Sequence, residues 1–265
     1  MGDRFNAGVV LRSGALFFCE KGTRMETANI HSFESLAALD GEGIRYDIFF
    51  TGCPLRCAYC HNPDAWHRSS NDMTAEEVFK KARRFKPYFR RGGGVTFSGG
   101  EPLLNARFIN EIAPMLEREG IGFCLDTSGS VPLTDEVKKA LDGADMVILD
   151  VKFYEPESYR KYTGGEFGRF VAVGRYCSEK NKRLWLRTVV VPGINDSEAD
   201  IDRYAELVGD WRFEKYELLG FHTMGFFKYE NLKIENPLKD VPALKPERLE
   251  ELQRYLDATI VKLFG

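Results

Sequence analysis

Three of the six cysteines fall within eight residues, at Cys53, Cys57 and Cys60, in the run Thr51-Gly-Cys-Pro-Leu-Arg-Cys-Ala-Tyr-Cys-His. A short loop can fold three thiolates at this spacing toward one point, and thiolate is the ligand of choice for iron–sulfur clusters and zinc. A four-iron cubane held by three cysteines keeps one iron free of protein ligand. An open coordination position is what separates a catalytic metal centre from a structural one. The alternative is a zinc-binding module without catalysis, with His61 or a distant side chain as fourth ligand. Structural zinc sites usually carry a second ligand pair, which this chain lacks. Cys19, Cys124 and Cys177 stand apart among apolar neighbours and read as buried, inert thiols. Clustered thiols without a disulfide framework point to a reducing compartment, the cytoplasm.

A second group of candidates lies downstream. Ser98-Gly99-Gly100-Glu101-Pro102 follows an apolar run, and adjacent glycines let backbone approach a ligand closely. A phosphate loop is excluded by the lack of a following Gly-Lys-Ser/Thr, leaving a ligand cradle or plain turn glycines. Asp126, Asp150 and Lys152 fall at the ends of two further apolar runs. Carboxylates converging there repel unless a cation neutralises them; a helix cap or surface ion pair is the plainer reading. Arg187 and His222 close two more runs, while His31 and His67 have no comparable argument.

The elements that must position these residues are strands alternating with helices. The strand-like runs are Tyr46–Phe50, Val95–Phe97, Gly122–Leu125, Met146–Val151, Leu184–Val191 and Tyr216–Leu219. Thr74 with Glu77 forms a capping box ahead of Val78, Phe79, Ala82 and Phe85 at helical spacing. Phe108, Ile109, Ile112, Met115 and Leu116 share a face that Gly120 should end and Pro114 should kink. Ser197 caps a helix bearing Ile201, Tyr204, Ala205 and Val208, and a final helix carries Leu249, Leu252, Leu256, Ile260 and Leu263. Six such units imply a parallel sheet, open or closed into a barrel, whose strand C-termini bear the site. Residues 1–24 show neither period and read as a disordered leader or the product of an upstream start; the working domain, 25–265, takes shape near Ile30. Arg12 interrupts the apolar stretch Gly8–Cys19 and no cleavage site follows, so it is not read as a signal peptide. At 265 residues with net charge −3, nothing favours nucleic acid or an anionic membrane as partner, and no run is long enough to span a bilayer.

The motif Cys-x3-Cys-x2-Cys with Tyr59 before its last cysteine resembles the signature of the radical S-adenosylmethionine (SAM) superfamily, and Ser98–Pro102 matches its Gly-Gly-Glu motif. From about Ile30 onward the chain is similar to the pyruvate formate-lyase activating enzymes, which activate glycyl radical enzymes. The match includes Ile30-His-Ser-Phe-Glu-Ser35, Asp40-Gly-x-Gly-Ile-Arg45, Gly92-Gly-Gly-Val-Thr96, Leu125-Asp-Thr127, Leu149-Asp-x-Lys152 and Arg187-x-Val-Val-Val-Pro-Gly193. The cysteine-rich insert of many other activases is missing here, and Glu42 stands where the family usually has proline. The resemblance implies a single-domain α/β fold, a partial (β/α)6 barrel open to a lateral groove. It implies a 4Fe–4S cluster on Cys53, Cys57 and Cys60, with S-adenosylmethionine chelating the open iron. The SAM ammonium would lie on Ser98, Gly99, Gly100 and Glu101, with its carboxylate on Lys152. Tyr59, His61, Arg187 and His222 would line the rest of the cofactor cavity. Asp126, Thr127 and Asp150 match the family's monovalent-cation site, and Asp40 is the candidate contact for the partner's glycine loop. The implied partners are a glycyl radical enzyme, foremost pyruvate formate-lyase, and a flavodoxin or ferredoxin as electron donor, with the protein itself a monomer. Another glycyl radical enzyme or a small molecule is the alternative substrate.

Overall fold

The computed structural model describes residues 26–90 and 92–264. The expected leader, residues 1–24, and Cys19 lie outside the described residues.

Six parallel strands form the frame: β2 (Arg45–Phe50), β4 (Gly94–Gly99), β5 (Gly122–Thr127), β6 (Met146–Asp150), β7 (Arg183–Val190) and β8 (Lys215–Gly220). Two antiparallel strands precede them at one edge, β1 (Thr27–Ala37) against β2 and β3 (Asp72–Thr74) against β1. The order is β3-β1-β2-β4-β5-β6-β7-β8, so β3 and β8 are edges and the barrel stays open on one side. All six expected strands are present, within a residue or two at their ends, and the partial-barrel expectation holds. Strand β1 was not anticipated. Its residues alternate polar and apolar only weakly, and Leu36 sits at φ +62°, a left-handed position that breaks the register to β2.

The helices α1 (Ala75–Arg83), α2 (Ala106–Arg118), α3 (Asp135–Gly143), α4 (Pro156–Thr163), α5 (Phe167–Glu179), α6 (Glu198–Leu207), α7 (Phe226–Leu232) and α8 (Pro246–Phe264) fill the connections. The Thr74–Glu77 and Ser197–Asp200 capping boxes form at α1 and α6. Helix α2 runs on through Pro114, and Gly120, just past its end, takes φ +65°.

Strand side chains alternate between two faces. Tyr46, Ile48, Phe50, Val95, Phe97, Leu125, Val147 and Leu149 point outward and join Val78, Ile109, Ile112 and Leu116 of the helices in one continuous core. Phe50 meets Phe108 of α2 edge-on at 5.8 Å, and Phe97 meets Phe123 at 5.5 Å. Each such buried side chain stabilises the fold by about 1.5–3 kcal/mol. The alternate residues face the barrel interior: Asp47, Thr96, Ser98, Asp126, Asp150 and Arg187, above a small apolar plug of Cys124, Met146, Ile148 and Trp185. At the open edge, Gln253 of α8 accepts from the Leu218 N–H at 2.7 Å and donates to the Tyr216 carbonyl at 3.0 Å, occupying β8 backbone groups that no strand pairs. Among the described residues no helix is long and apolar enough to cross a membrane.

Candidate active site

The cysteine loop leaves β2 and is tied down at both ends. Gly52 N–H donates to Ala65 O at 2.8 Å; Arg56 and Ala58 donate to the Thr163 and Tyr162 carbonyls at the end of α4 at 2.7 and 2.8 Å. Cys60 N–H reaches back to Cys57 O at 3.0 Å. With the backbone so held, Cys53, Cys57 and Cys60 all face one cavity of about 500 Å³ at the C-terminal end of the barrel. Burial pushes the Cys53 and Cys57 thiols up to about 12 and raises Cys60 as well, so these thiols keep their protons until a metal displaces them.

The Ser98–Glu101 segment passes beside that loop. Gly100 N–H bonds Phe50 O at 2.9 Å and Glu101 N–H bonds Gly52 O at 2.9 Å. A Cβ on Gly99, at φ +111°, would stand 2.3 Å from the Phe50 nitrogen, and one on Gly100 would stand 2.2 Å from Gly52 O. Only glycine lets the two segments lie this close. Glu101 departs from its expected place. Its side chain is fully buried and turned from the cavity, accepting from Thr127 Oγ1 at 2.5 Å, Ser128 Oγ at 2.5 Å, Ser128 N–H at 3.0 Å and Leu103 N–H at 3.0 Å. It joins the ends of β4 and β5. Thr127 turns away with it, its hydroxyl committed to Glu101, because it falls on the outward face of β5.

Across the cavity, Ser98 Oγ donates to Asp126 at 2.7 Å and Lys152 Nζ donates to Asp150 at 2.6 Å. Burial first, then the Asp150 charge, pushes the Asp126 carboxyl up to about 7. Burial opposes the charge on Lys152, but Asp150, Cys57 and Tyr59 outweigh it and hold the ammonium well above its ordinary range. Arg187 likewise stays charged against burial, facing Asp126, Asp150 and Asp40. It ion-pairs Asp40 at 3.2 Å and Glu217 at 3.4 Å and donates to the Leu39 carbonyl, drawing the β1–β2 loop against the inner face of β7. His61 and His222 meet edge to face at 4.6 Å on the same cavity, and burial lowers the proton affinity of His61. Tyr59 completes that wall, its hydroxyl 3.4 Å from the Lys152 carbonyl.

Sequence reasoning passed over Asp47. It is fully buried on the inward face of β2, its oxygens meeting no N–H or hydroxyl donor, and burial, followed by a carboxyl–carboxyl hydrogen bond with Asp40, pushes it up to about 8. A charged residue between Tyr46 and Ile48 was the available signal. Glu42, the residue at the family's usual proline, forms a two-pronged pair with Arg183 at 3.0 Å on each prong, and Arg183 also holds Glu214 at 2.8 Å. It therefore ties the β1–β2 loop to the start of β7.

Comparison with known proteins decides the kinship. The family model of the radical SAM superfamily matches residues 48–205. The chain is 41% identical over 235 residues to the pyruvate formate-lyase-activating enzyme of Clostridium pasteurianum, covering 88% of this chain and 98% of that one. It belongs to the radical SAM superfamily, in the family of pyruvate formate-lyase-activating enzymes. The enzyme of the same name from Streptococcus mutans is 35% identical over 239 residues, 87% of this chain and 91% of that one. Among solved structures, Streptococcus suis SuiB bound to S-adenosylmethionine superposes with a TM-score of 0.61 at 16% identity, over 79% of this chain and 45% of that one. A domain of a pyruvate-formate lyase-activating enzyme from Bacteroides vulgatus gives 0.51 at 20% identity, over 63% and 95%. These superpositions speak for the fold.

The residues fit the cofactors that radical SAM membership implies. Three thiols of one loop share one cavity, a cationic Lys152 offsets thiolate charge there, and the Ser98–Gly100 backbone lines the same cavity. Among the described residues no three His, Cys, Asp or Glu side chains meet at a single-ion position. A cubane does not ask for that, because it spreads its cysteines over separate irons.

Proposed function

We propose that this protein activates pyruvate formate-lyase by taking a hydrogen atom from a glycine α-carbon of that enzyme. The observation that carries the reading is the convergence of Cys53, Cys57, Cys60, the Gly99–Gly100 cradle and Lys152 on one cavity of a barrel left open at one side. When bound, a 4Fe–4S cluster and S-adenosylmethionine would supply the chemistry, a one-electron reductive cleavage of SAM that enables hydrogen-atom abstraction.

The chain's own residues bind, orient and insulate. Cys53, Cys57 and Cys60 would hold the 4Fe–4S cluster, whose remaining open position would bind SAM. The amine and carboxylate of SAM also need polar partners in the protein: backbone carbonyls of Ser98, Gly99 and Gly100 for the ammonium, and Lys152 for the carboxylate. Glu101 acts from behind by fixing the loop. Asp126 and Asp150 would hold a monovalent cation, which would offset their mutual repulsion, with Thr127 contributing. Tyr59, His61 and His222 bound the adenosine end. Arg187 and Asp40 place the β1–β2 loop where the partner's glycine loop enters, so that the reacting atoms come within about 3–3.5 Å. The electron comes from a flavodoxin or ferredoxin, and the protein works as a monomer in the cytoplasm, where thiols stay reduced.

The reading is tested by anaerobic reconstitution with iron and sulfide, followed by chromatography of the nucleoside product. 5′-Deoxyadenosine formed in step with activation of pyruvate formate-lyase is the expected result. Product formed without activation would move the substrate to another glycyl radical enzyme or a small molecule, and zinc in place of iron and sulfide would end the reading.

A further inference from the structure

The β1–β2 loop presents Asp40 to the cavity, yet part of what holds the loop lies well away from that cavity. Two arginines four residues apart, and so on one face of β7, each take one of its acidic residues. Arg187 pairs with Asp40 at 3.2 Å, and Arg183 grips Glu42 with two prongs of 3.0 Å each. Side chains also hold the loop backbone at both points: Thr96 Oγ1 donates to the Asp40 carbonyl at 2.7 Å and Arg45 to the Glu42 carbonyl at 3.4 Å. Gly41, between the two anchors, takes φ +128°, and a Cβ there would stand 3.1 Å from Met146 of the apolar plug. The loop therefore lies flat on the plug between its anchors.

The Glu42 anchor is itself braced. Arg183 also forks onto Glu214 at 2.8 and 3.0 Å, and the Trp185 indole N–H donates to the same carboxylate at 3.3 Å. Lys215 lies 4.9 Å from the centre of the Trp185 ring and pairs with Glu217 at 2.9 Å. Glu217 in turn pairs with Arg187 at 3.4 Å, so a row of side chains along β7 and β8 joins Glu42 back to Asp40. Neither Glu42 nor Arg183 lines the cavity, and their pair is half-exposed. An exposed pair adds little to folding, so its consequence is local, the fixing of one loop.

Resting on the proposed function, we infer that Glu42 is a positioning residue for capture of the partner protein: clamped by Arg183, it presets the β1–β2 loop that meets the partner's glycine loop. Leu39 supports this. It lines the cavity beside Asp40 and is 80% exposed, an apolar side chain held out where an incoming segment can bury it. A partner that meets a loop already in place is spared the entropy of ordering it. Preorganisation of this kind acts on binding, so it lowers KM for the partner and leaves kcat nearly unchanged.

The experiment uses the full chain, reconstituted anaerobically, as wild type, Glu42→Gln and Arg183→Met. Gln keeps the size of the side chain and loses its charge; Met removes the guanidinium that Glu42 and Glu214 share. Hydrogen exchange of the residue 38–44 amides is followed by mass spectrometry, and 5′-deoxyadenosine formed without partner is measured. The initial rate of glycyl radical formation is then recorded across a range of pyruvate formate-lyase concentrations. The expected result is faster exchange in the loop for both variants and unchanged partner-free 5′-deoxyadenosine. KM for pyruvate formate-lyase should rise about three- to fivefold at nearly constant kcat, the shift an exposed charge pair can produce. Exchange as slow as wild type in both variants overturns the inference, and so does faster exchange with unchanged KM. A fall in kcat matched by a fall in partner-free product would mark a general lesion of the site and overturns it as well. Wild type that cleaves SAM without activating pyruvate formate-lyase brings down the proposed function and this inference together, whereas activating wild type with unshifted variants brings down the inference alone.

Discussion

The two faces of the same six strands obey opposite rules. Outward, Ile48, Phe50, Phe97 and Leu149 pack on helices as an unbroken apolar layer. Inward, one residue away along each strand, stand Asp47, Ser98 and Arg187, buried, and Asp126 and Asp150, half-buried, all of them ionisable or polar. The outer face supplies the free energy of folding, and the inner face spends part of it to hold charge out of water. That division explains how a stable scaffold carries three acidic residues, two cations and three thiols in one small space. It also predicts that damage to the two faces will look different.

The sharpest contrast comes from the site itself. Cys57→Ala should abolish the iron–sulfur absorbance and all activation while leaving the circular dichroism of the fold intact; retained cluster would break the division of labour. On the outer face, Phe97→Ala should cost about 3–5 kcal/mol of stability, read by denaturant titration, while the fraction still folded keeps its activity per molecule. Back inside, Lys152→Met should reduce activation on the order of a hundredfold through misplacement of SAM, with little change in unfolding midpoint.

Asp47 sharpens the comparison through pH. Its folded proton affinity is raised, from an ordinary 3.8 to about 8. The folded protein therefore binds the proton more tightly than the unfolded chain. The stability this confers is complete below about pH 4 and is lost as pH rises through the window up to about 8. Asp47→Asn, which cannot ionise, should gain on wild type across that window by several kcal/mol at its alkaline end, at about 1.4 kcal/mol per pH unit, measured as melting temperatures at pH 5 and pH 8.5. Equal pH slopes would show Asp47 to be already ionised in the fold. Smallest is Glu42→Ala: its pair with Arg183 is half exposed, so the loss should stay under about 1 kcal/mol in the same melting experiment.

The outer face was legible in the sequence because its apolar residues recur, and the capping residues Thr74 and Ser197 marked two helix starts. The inner face was legible only where a motif named it. Asp126, Asp150, Lys152 and Arg187 were picked out by their segments, whereas Asp47 hid in a run read as apolar, since a short buried strand masks its period of two. Glu101 shows the other limit: its motif marked it, but which way its carboxylate turns depends on Thr127 and Ser128, brought near only by the parallel pairing of β4 and β5.

The central claim is that this barrel directs radical chemistry at a glycine of a partner protein. The direct test is an electron paramagnetic resonance spectrum of the reduced, reconstituted protein incubated with SAM and pyruvate formate-lyase. A glycyl radical doublet on the partner, lost in Cys57→Ala, is the predicted result. A loaded, reducible cluster that cleaves SAM yet raises no doublet on pyruvate formate-lyase would contradict it.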